Sequence, residues 1–258
     1  RSLSATAEAD GPLRVAILYG GRRQDWPEKV VDDLPGVEVE LCAVPLLEYD
    51  AHGAVREAEL QQQIAQALAA AGMTAADTVL HIHNHALGKN RSLPGTVTRL
   101  ARDGYSLLLQ IHDFPEDSRP DNYLTLADGL APGNPERLAD VLYPQSSAIH
   151  YALLNGRDQM IMSRAGVHGE QLHALPNPVS DFHDLPDRGH ARRRLGEVFG
   201  MADDVRYYVY PDRGIRRKNL GEALLWSAMA DPKRTRLALT LPPLNPLEVP
   251  RYGSWKQL

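Results

Sequence analysis

The sequence predicts an α/β protein built on doubly wound parallel sheets. Two observations carry that expectation. Short apolar runs alternate with helical patterns along most of the chain, the arrangement of repeated βαβ units. One of these runs, SLLLQI (Ser106–Ile111), is apolar without interruption, as expected of a parallel strand buried on both faces.

Taken in order, residues 1–12 read as a polar, flexible leader, and Arg1 in place of Met points to a processed or trimmed product. RVAILY (Arg14–Tyr19) is a strand that runs into Gly20 and Gly21, a turn in which backbone can approach a ligand closely. VEVELCAV (Val37–Val44) is the next strand, with Cys42 expected to be a buried thiol, and Arg56–Gly72 is a helix with a glycine stop. TVLHIHN (Thr78–Asn84) ends in a cluster of His81, His83, Asn84 and His85. Alternation along a strand would place the three histidines on one face. The loop after it continues through Gly88, Lys89 and Asn90 to a helix over Leu93–Gly104.

SLLLQI delivers His112 and Asp113 at its C-terminal end, where open α/β sheets bind ligands. The polar loop beyond carries Glu116, Asp117, Arg119 and Asn122, stiffened by Pro115 and Pro120. Residues 123–134 mix Leu with Gly and Pro and give no clear element; Asn134–Leu142 reads as a short helix. AIHYALLN (Ala148–Asn155) is a strand with Asn155 as N-cap of a helix ending at Gly166, and QLHALPNPV (Gln171–Val179) a strand closing on Pro176-Asn177-Pro178. Beyond it come a helix over Arg192–Gly200, the strand YYVY (Tyr207–Tyr210), a basic turn, the helical pattern ALLWSAM, the strand RLALTL (Arg236–Leu241) and a Pro-rich tail. The expected organisation is a leader (1–12), an N-terminal domain (13–178), a hinge and linker helix (179–204) and an incomplete second domain (205–258).

Composition narrows the function. The 258 residues are 43% hydrophobic and 24% charged, an ordinary globular balance, and a net charge of −5 gives no general pull toward nucleic acid. A single cysteine excludes an internal disulfide and a cysteine-based zinc site. No stretch is long and apolar enough to span a bilayer, and the leader has no apolar signal core, so the cytoplasm is the default compartment. Contact with a membrane surface stays compatible with the sequence.

The strand, basic turn and helix start over Tyr207–Glu222, YYVYPDRGIRRKNLGE, form an anion site in outline: uncapped helix amides and cationic side chains converge. Arg213 and Lys218 lie five residues apart across the turn, placed to grip one diphosphate from two sides. This unit, with the Gly20-Gly21 turn, His112-Asp113 and Pro176-Asn177, resembles the retaining glycosyltransferases of the GT-B fold (the glycosyltransferase group 1, family 4-like enzymes). The resemblance implies two Rossmann-like domains, a nucleotide-diphosphate-sugar donor in the cleft between them, and an acceptor on the first domain. It implies that Arg213 and Lys218 bind the donor diphosphate, with Asn219 where many relatives have Gly. It also implies that His112 lies by the reacting centre and that Asp113 orients it or binds a hydroxyl. Gly20, Gly21, His83, Asn84, His85, Asn90, Arg119 and Asn122 are the candidates for the cleft and the acceptor. The expected reaction retains anomeric configuration and needs no metal and no cofactor; its partners are the two small-molecule substrates. The acidic, Gly-rich segment that holds the donor sugar in that family does not follow Lys218, so the expectation is a chain lacking most of its second domain. Two alternatives stand beside this reading. One is a metal-dependent hydrolase built on His81, His83 and His85 with His112 and Asp113, although the H-x-H-x-D-H pattern of such enzymes fails after His83. The other is a non-catalytic sugar- or nucleotide-binding domain.

Overall fold

The computed structural model describes residues 12–21, 34–50, 52–117, 119–179, 184–200, 202, 204–215, 218–231, 233–243 and 248–257. The expected leader, apart from Pro12, lies outside the described residues, as do 180–183 of the expected hinge and Arg216 and Arg217 of the basic turn. The chain divides into two compact units, Arg1–Val179 and Ser180–Leu258.

In the first unit, β1 (Leu13–Tyr19) pairs in parallel with β2 (Val37–Ala43), Leu13 opposite Val37 through to Tyr19 opposite Ala43. After α1 (Glu57–Ala70) a four-stranded parallel sheet runs in the order β3 (Val79–His83), β4 (Ser106–Ile111), β5 (Ile149–Leu153) and β6 (Leu172–Ala174). Its crossovers carry α2 (Leu93–Arg102), α3 (Pro120–Leu130), α4 (Pro135–Leu142) and α5 (Gly156–Arg164). The architecture is thus α/β with parallel sheets, consistent with a Rossmann-like fold. Among the described residues the β1–β2 pair shares no ladder with the larger sheet. Packing joins them instead. Ala16 and Leu18 of β1 rest on the core that buries Leu60, Ile64 and Leu68 of α1, Val97 and Leu100 of α2, and Leu107, Leu109, Tyr151 and Leu153 of the sheet. Each such side chain contributes about 1.5–3 kcal/mol on burial. A satellite core of Ala86, Leu126, Ala131, Leu138 and Leu142 holds α3 and α4. Cys42 is half-buried rather than buried, because β2 has only partial cover. Burial and then Glu40 push its thiol pKa up.

Strand alternation sorts the four-stranded sheet into an apolar face and a polar one. Leu80, Leu107, Leu109, Ile111, Ile149, Tyr151 and Leu153 enter the core. His81, His83, Gln110, His150 and His173 occupy alternate positions on β3 to β6, with His83 opposite Gln110 and Ala152 opposite His173. His81 is exposed, because its neighbours Leu80 and Ile82 take the inward positions.

In the second unit, α6 (Arg188–Phe199) starts on Asp187, whose carboxylate accepts from the amides of Gly189 and His190, and stops at Gly200 with φ 63°. β7 (Arg206–Arg213) pairs in parallel with β8 (Thr235–Leu241), with a register shift between Tyr210 and Arg213. α7 (Leu220–Met229) links them, and α8 (Val249–Trp255) occupies part of the stretch expected to be a Pro-rich tail. Pro250 sits in its first turn, where a missing amide costs nothing.

Candidate active site

The first candidate group gathers where β3 and β4 end. β3 stops at His83 because Asn84 takes φ 54°, a left-handed conformation that Asn tolerates better than most residues. From there the Asn84 side-chain oxygen accepts hydrogen bonds from the amides of His112 (2.8 Å) and Asp113 (3.2 Å), while the Asn84 amide donates to the Gln110 carbonyl (2.9 Å). One asparagine therefore joins the two strand ends and presents His112 and Asp113. His112 Nε2 lies 2.9 Å from His83 Nδ1, the two rings stacked with centroids 5.2 Å apart. Burial, then the neighbouring His81 and His112, lowers the His83 pKa and favours its neutral form. The contact places one hydrogen between the two ring nitrogens and fixes how the rings sit at the strand ends. Asp113 forms a 2.7 Å ion pair with Arg119, whose side chain is only 13% exposed, so Arg119 orients this carboxylate. His81 Nε2 donates to the Gln110 side-chain oxygen at 3.0 Å.

Other expected site residues are engaged elsewhere. His85 was expected to share a face with His81 and His83. The turn at Asn84 breaks the alternation, and His85 is 1% exposed with Nε2 on the Leu142 carbonyl at 2.7 Å. Burial pushes its pKa down to about 4, the bond to Leu142 opposing. His85 is thus enclosed, and the three-histidine face of the hydrolase alternative does not form. Among the described residues no group of three or more His, Cys, Asp or Glu side chains is arranged to hold a metal ion.

Asn90, 8% exposed, donates to the carbonyls of Leu46 (2.6 Å) and Glu48 (3.0 Å) and accepts from the Ser92 amide (2.9 Å). Both of its side-chain N–H groups are spent on the turn after β2, and its oxygen on its own loop. Gly20 closes on the same turn, since a Cβ there would overlap the main chain of Leu47 and Glu48. Its close approach is to the protein's own backbone. Gly21, at φ 72°, faces the Glu48 carboxylate. Asn122 donates to the Leu87 carbonyl at 2.6 Å. The structure thus separates the candidates of this unit: His83, Asn84, His112, Asp113 and Arg119 form one group, while Gly20, Gly21 and Asn90 brace a turn. Beside that turn lies a cavity of about 180 Å³ lined by Glu48, Asp50, Arg56 and Asn90 among others. Glu48 and Asp50 carried no signal in the sequence beyond their charge.

In the second unit, Arg213 ends β7 exposed to solvent, and Lys218 follows across the turn. Lys218 Nζ pairs with Asp212 at 2.9 Å, and the Tyr210 hydroxyl donates to the Lys218 carbonyl. That pairing, with the Arg213 amide assisting, holds the Asp212 carboxyl below the usual range. Asn219 has φ 60° and its side chain makes no capping bond to α7. The conformation accounts for the residue type: glycine and asparagine are the two that accept it readily. The first amides of a helix have no partner within the helix, and at α7 the N-cap side chain supplies none. A cavity of about 450 Å³ lies at the opposite end of β7, lined by Arg188, Arg192, Leu195, Arg206, Tyr207 and Tyr208 among others, away from Arg213 and Lys218.

Among the described residues no helix is long and apolar enough to cross a membrane. No protein-family model matches the chain. Over 98 residues the chain is 31% identical to mannosylglucosyl-3-phosphoglycerate synthase of Petrotoga mobilis. That stretch is 38% of this chain and 18% of the relative, so the match spans less than a fifth of the relative's length. The likeness is partial, and it is to a glycosyltransferase.

Proposed function

We propose that the protein is a retaining GT-B glycosyltransferase that moves a sugar, a hexose in the first instance, from a nucleoside diphosphate to an acceptor without a metal ion. The observation that carries this reading is the partial likeness to mannosylglucosyl-3-phosphoglycerate synthase. The parallel α/β units and the strand–basic turn–helix unit at Arg213 and Lys218 support it. In this reading the bond from the anomeric carbon to the diphosphate oxygen breaks, and a bond to the acceptor hydroxyl oxygen forms on the same face. The hydroxyl proton passes to the departing phosphate. Arg213 and Lys218 take up the charge that grows on the diphosphate, a stabilisation greatest in the transition state. His112 and Asp113 are the residues assigned to the reacting sugar. His83 and Arg119 hold them, and Asn84 holds their backbone. The cytoplasm is the compartment this chemistry is assigned to.

Calorimetry with uridine, guanosine and adenosine diphosphates in the presence of a chelator tests the reading. Micromolar binding of one of them is expected, lost in Arg213→Ala and in Lys218→Ala. Turnover is expected to fall about a hundredfold or more in either variant. The relative's name makes a sugar phosphoglycerate the first acceptor to assay. Absence of binding to every diphosphate, or full binding by both variants, refutes the assignment.

A further inference from the structure

We infer that Asp212 is an internal counter-ion that occupies Lys218 in the free protein, is displaced by the donor diphosphate, and thereby sets donor affinity. The inference rests on the reading of Arg213 and Lys218 as the diphosphate pair. Asp212 is held at both oxygens: Oδ1 accepts the Arg213 amide at 2.7 Å, and Oδ2 lies 2.9 Å from Lys218 Nζ. The main chain around the ammonium is fixed separately. The Tyr210 hydroxyl donates to the Lys218 carbonyl, and the Lys218 amide donates to the Ile215 carbonyl at 3.1 Å. Only the far end of the lysine therefore has to change partner. The Lys218 and Asp212 side chains are 35% and 37% exposed, so the pair is within reach of solutes and is a weak one in water.

A phosphate oxygen and a carboxylate oxygen compete for the same ammonium. The register shift between Tyr210 and Arg213 is what brings Asp212 to it, since an irregularity in a strand re-aims the side chains beside it. Once a diphosphate takes Lys218, the Asp212 carboxylate is a fixed negative charge beside a polyanion. Its presence weakens binding twice, by competition and by repulsion, and lets product diphosphate leave.

The test is titration of the full chain with inorganic pyrophosphate and with uridine, guanosine and adenosine diphosphates at low and high salt. The variants are Asp212→Asn, Asp212→Ser, Lys218→Ala and the double variant Asp212→Asn/Lys218→Ala. Asp212→Asn keeps the oxygen that accepts from Arg213, and circular dichroism checks that each variant is folded. The expected result is binding about three- to tenfold tighter in Asp212→Asn and Asp212→Ser at low salt, with a smaller gain at high salt. The gain should vanish when Lys218 is already Ala. Unchanged or weaker binding in both Asp212 variants, while Lys218→Ala still loses binding, overturns the inference and leaves the diphosphate pair intact. Binding that ignores Lys218→Ala, or no binding at all, overturns the diphosphate pair and the inference with it.

Discussion

Asn84 offers the sharpest test of how the rim of the first unit is held together. Its side-chain oxygen takes two backbone amides, those of His112 and Asp113, while its own backbone sits at φ 54°. Asn84→Ala removes the one oxygen that accepts from both amides and leaves in the left-handed region a residue that tolerates it less well than Asn. An unmet amide costs about 1–3 kcal/mol where water is excluded and less where it reaches. The backbone conformation costs Ala about 1 kcal/mol more than Asn or Gly. Both amides here are only partly buried, so each counts about 0.5–1.5 kcal/mol, and with the backbone cost the sum is about 2–4 kcal/mol. Asn84→Gly loses the same bonds without the backbone strain and should cost about 1 kcal/mol less than Ala, a reversal of the usual order in which Gly is the worse substitute. Asn84→Asp keeps an acceptor oxygen and should stay within about 1 kcal/mol of the parent. Urea unfolding followed by far-ultraviolet circular dichroism gives the stabilities, and hydrogen exchange at the His112 and Asp113 amides shows where the loss arises. An Ala variant as stable as the parent, or a Gly variant less stable than Ala, refutes the reasoning.

Three further outcomes follow from the same geometry. His85 is buried with a pKa lowered to about 4, whereas an unfolded histidine titrates near 6.5. Its native pKa being the lower, the unfolded state gains the proton first, so stability is complete above about pH 6.5 and falls on acidification toward pH 4. The loss is on the order of 3 kcal/mol, and His85→Gln, which can still donate to the Leu142 carbonyl, should flatten that part of the urea-midpoint profile. Gly20→Ala forces a Cβ into the main chain of Leu47 and Glu48 and should cost about 2–3 kcal/mol, read as a lower melting temperature. Asn90→Ala strands the Leu46 and Glu48 carbonyls and the Ser92 amide and should cost about 2–4 kcal/mol by denaturant titration; a change under about 1 kcal/mol tells against its bracing role.

Apolar runs bounded by turn residues located β1 to β5 to within a residue or two, because a buried parallel strand leaves few other sequences open to it. The Asn155 cap was legible for a similar reason: it accepts from the Asp158 amide, a local contact that needs no knowledge of the rest of the fold. The face of a histidine was harder to read. Alternation was extended through Asn84 to His85, yet the one residue type in that run suited to a left-handed turn was Asn84 itself. Asn122 on Leu87 is a long-range choice, made when α3 packs, and a linear pattern holds no record of it. Residues 123–134 gave no pattern because the Gly and Pro that punctuate them surround a helix stabilised by Leu126 in the satellite core.

The contacts of Asn90 also bear on how the protein is made. Asn90 reaches 44 residues back to the Leu46 carbonyl, and Arg14 reaches 57 forward to that of Ala71. Closing a loop of that length costs about 3 kcal/mol of chain entropy before any contact repays it. On the ribosome, β1 and β2 therefore emerge, with the turn that follows them, before the asparagine that secures that turn has been synthesised. The brace forms only after α1, β3 and Asn90 itself have cleared the exit tunnel, so the turn after β2 waits unsecured over that stretch of synthesis, and the interval is the chain's exposure to chaperones and to misfolding.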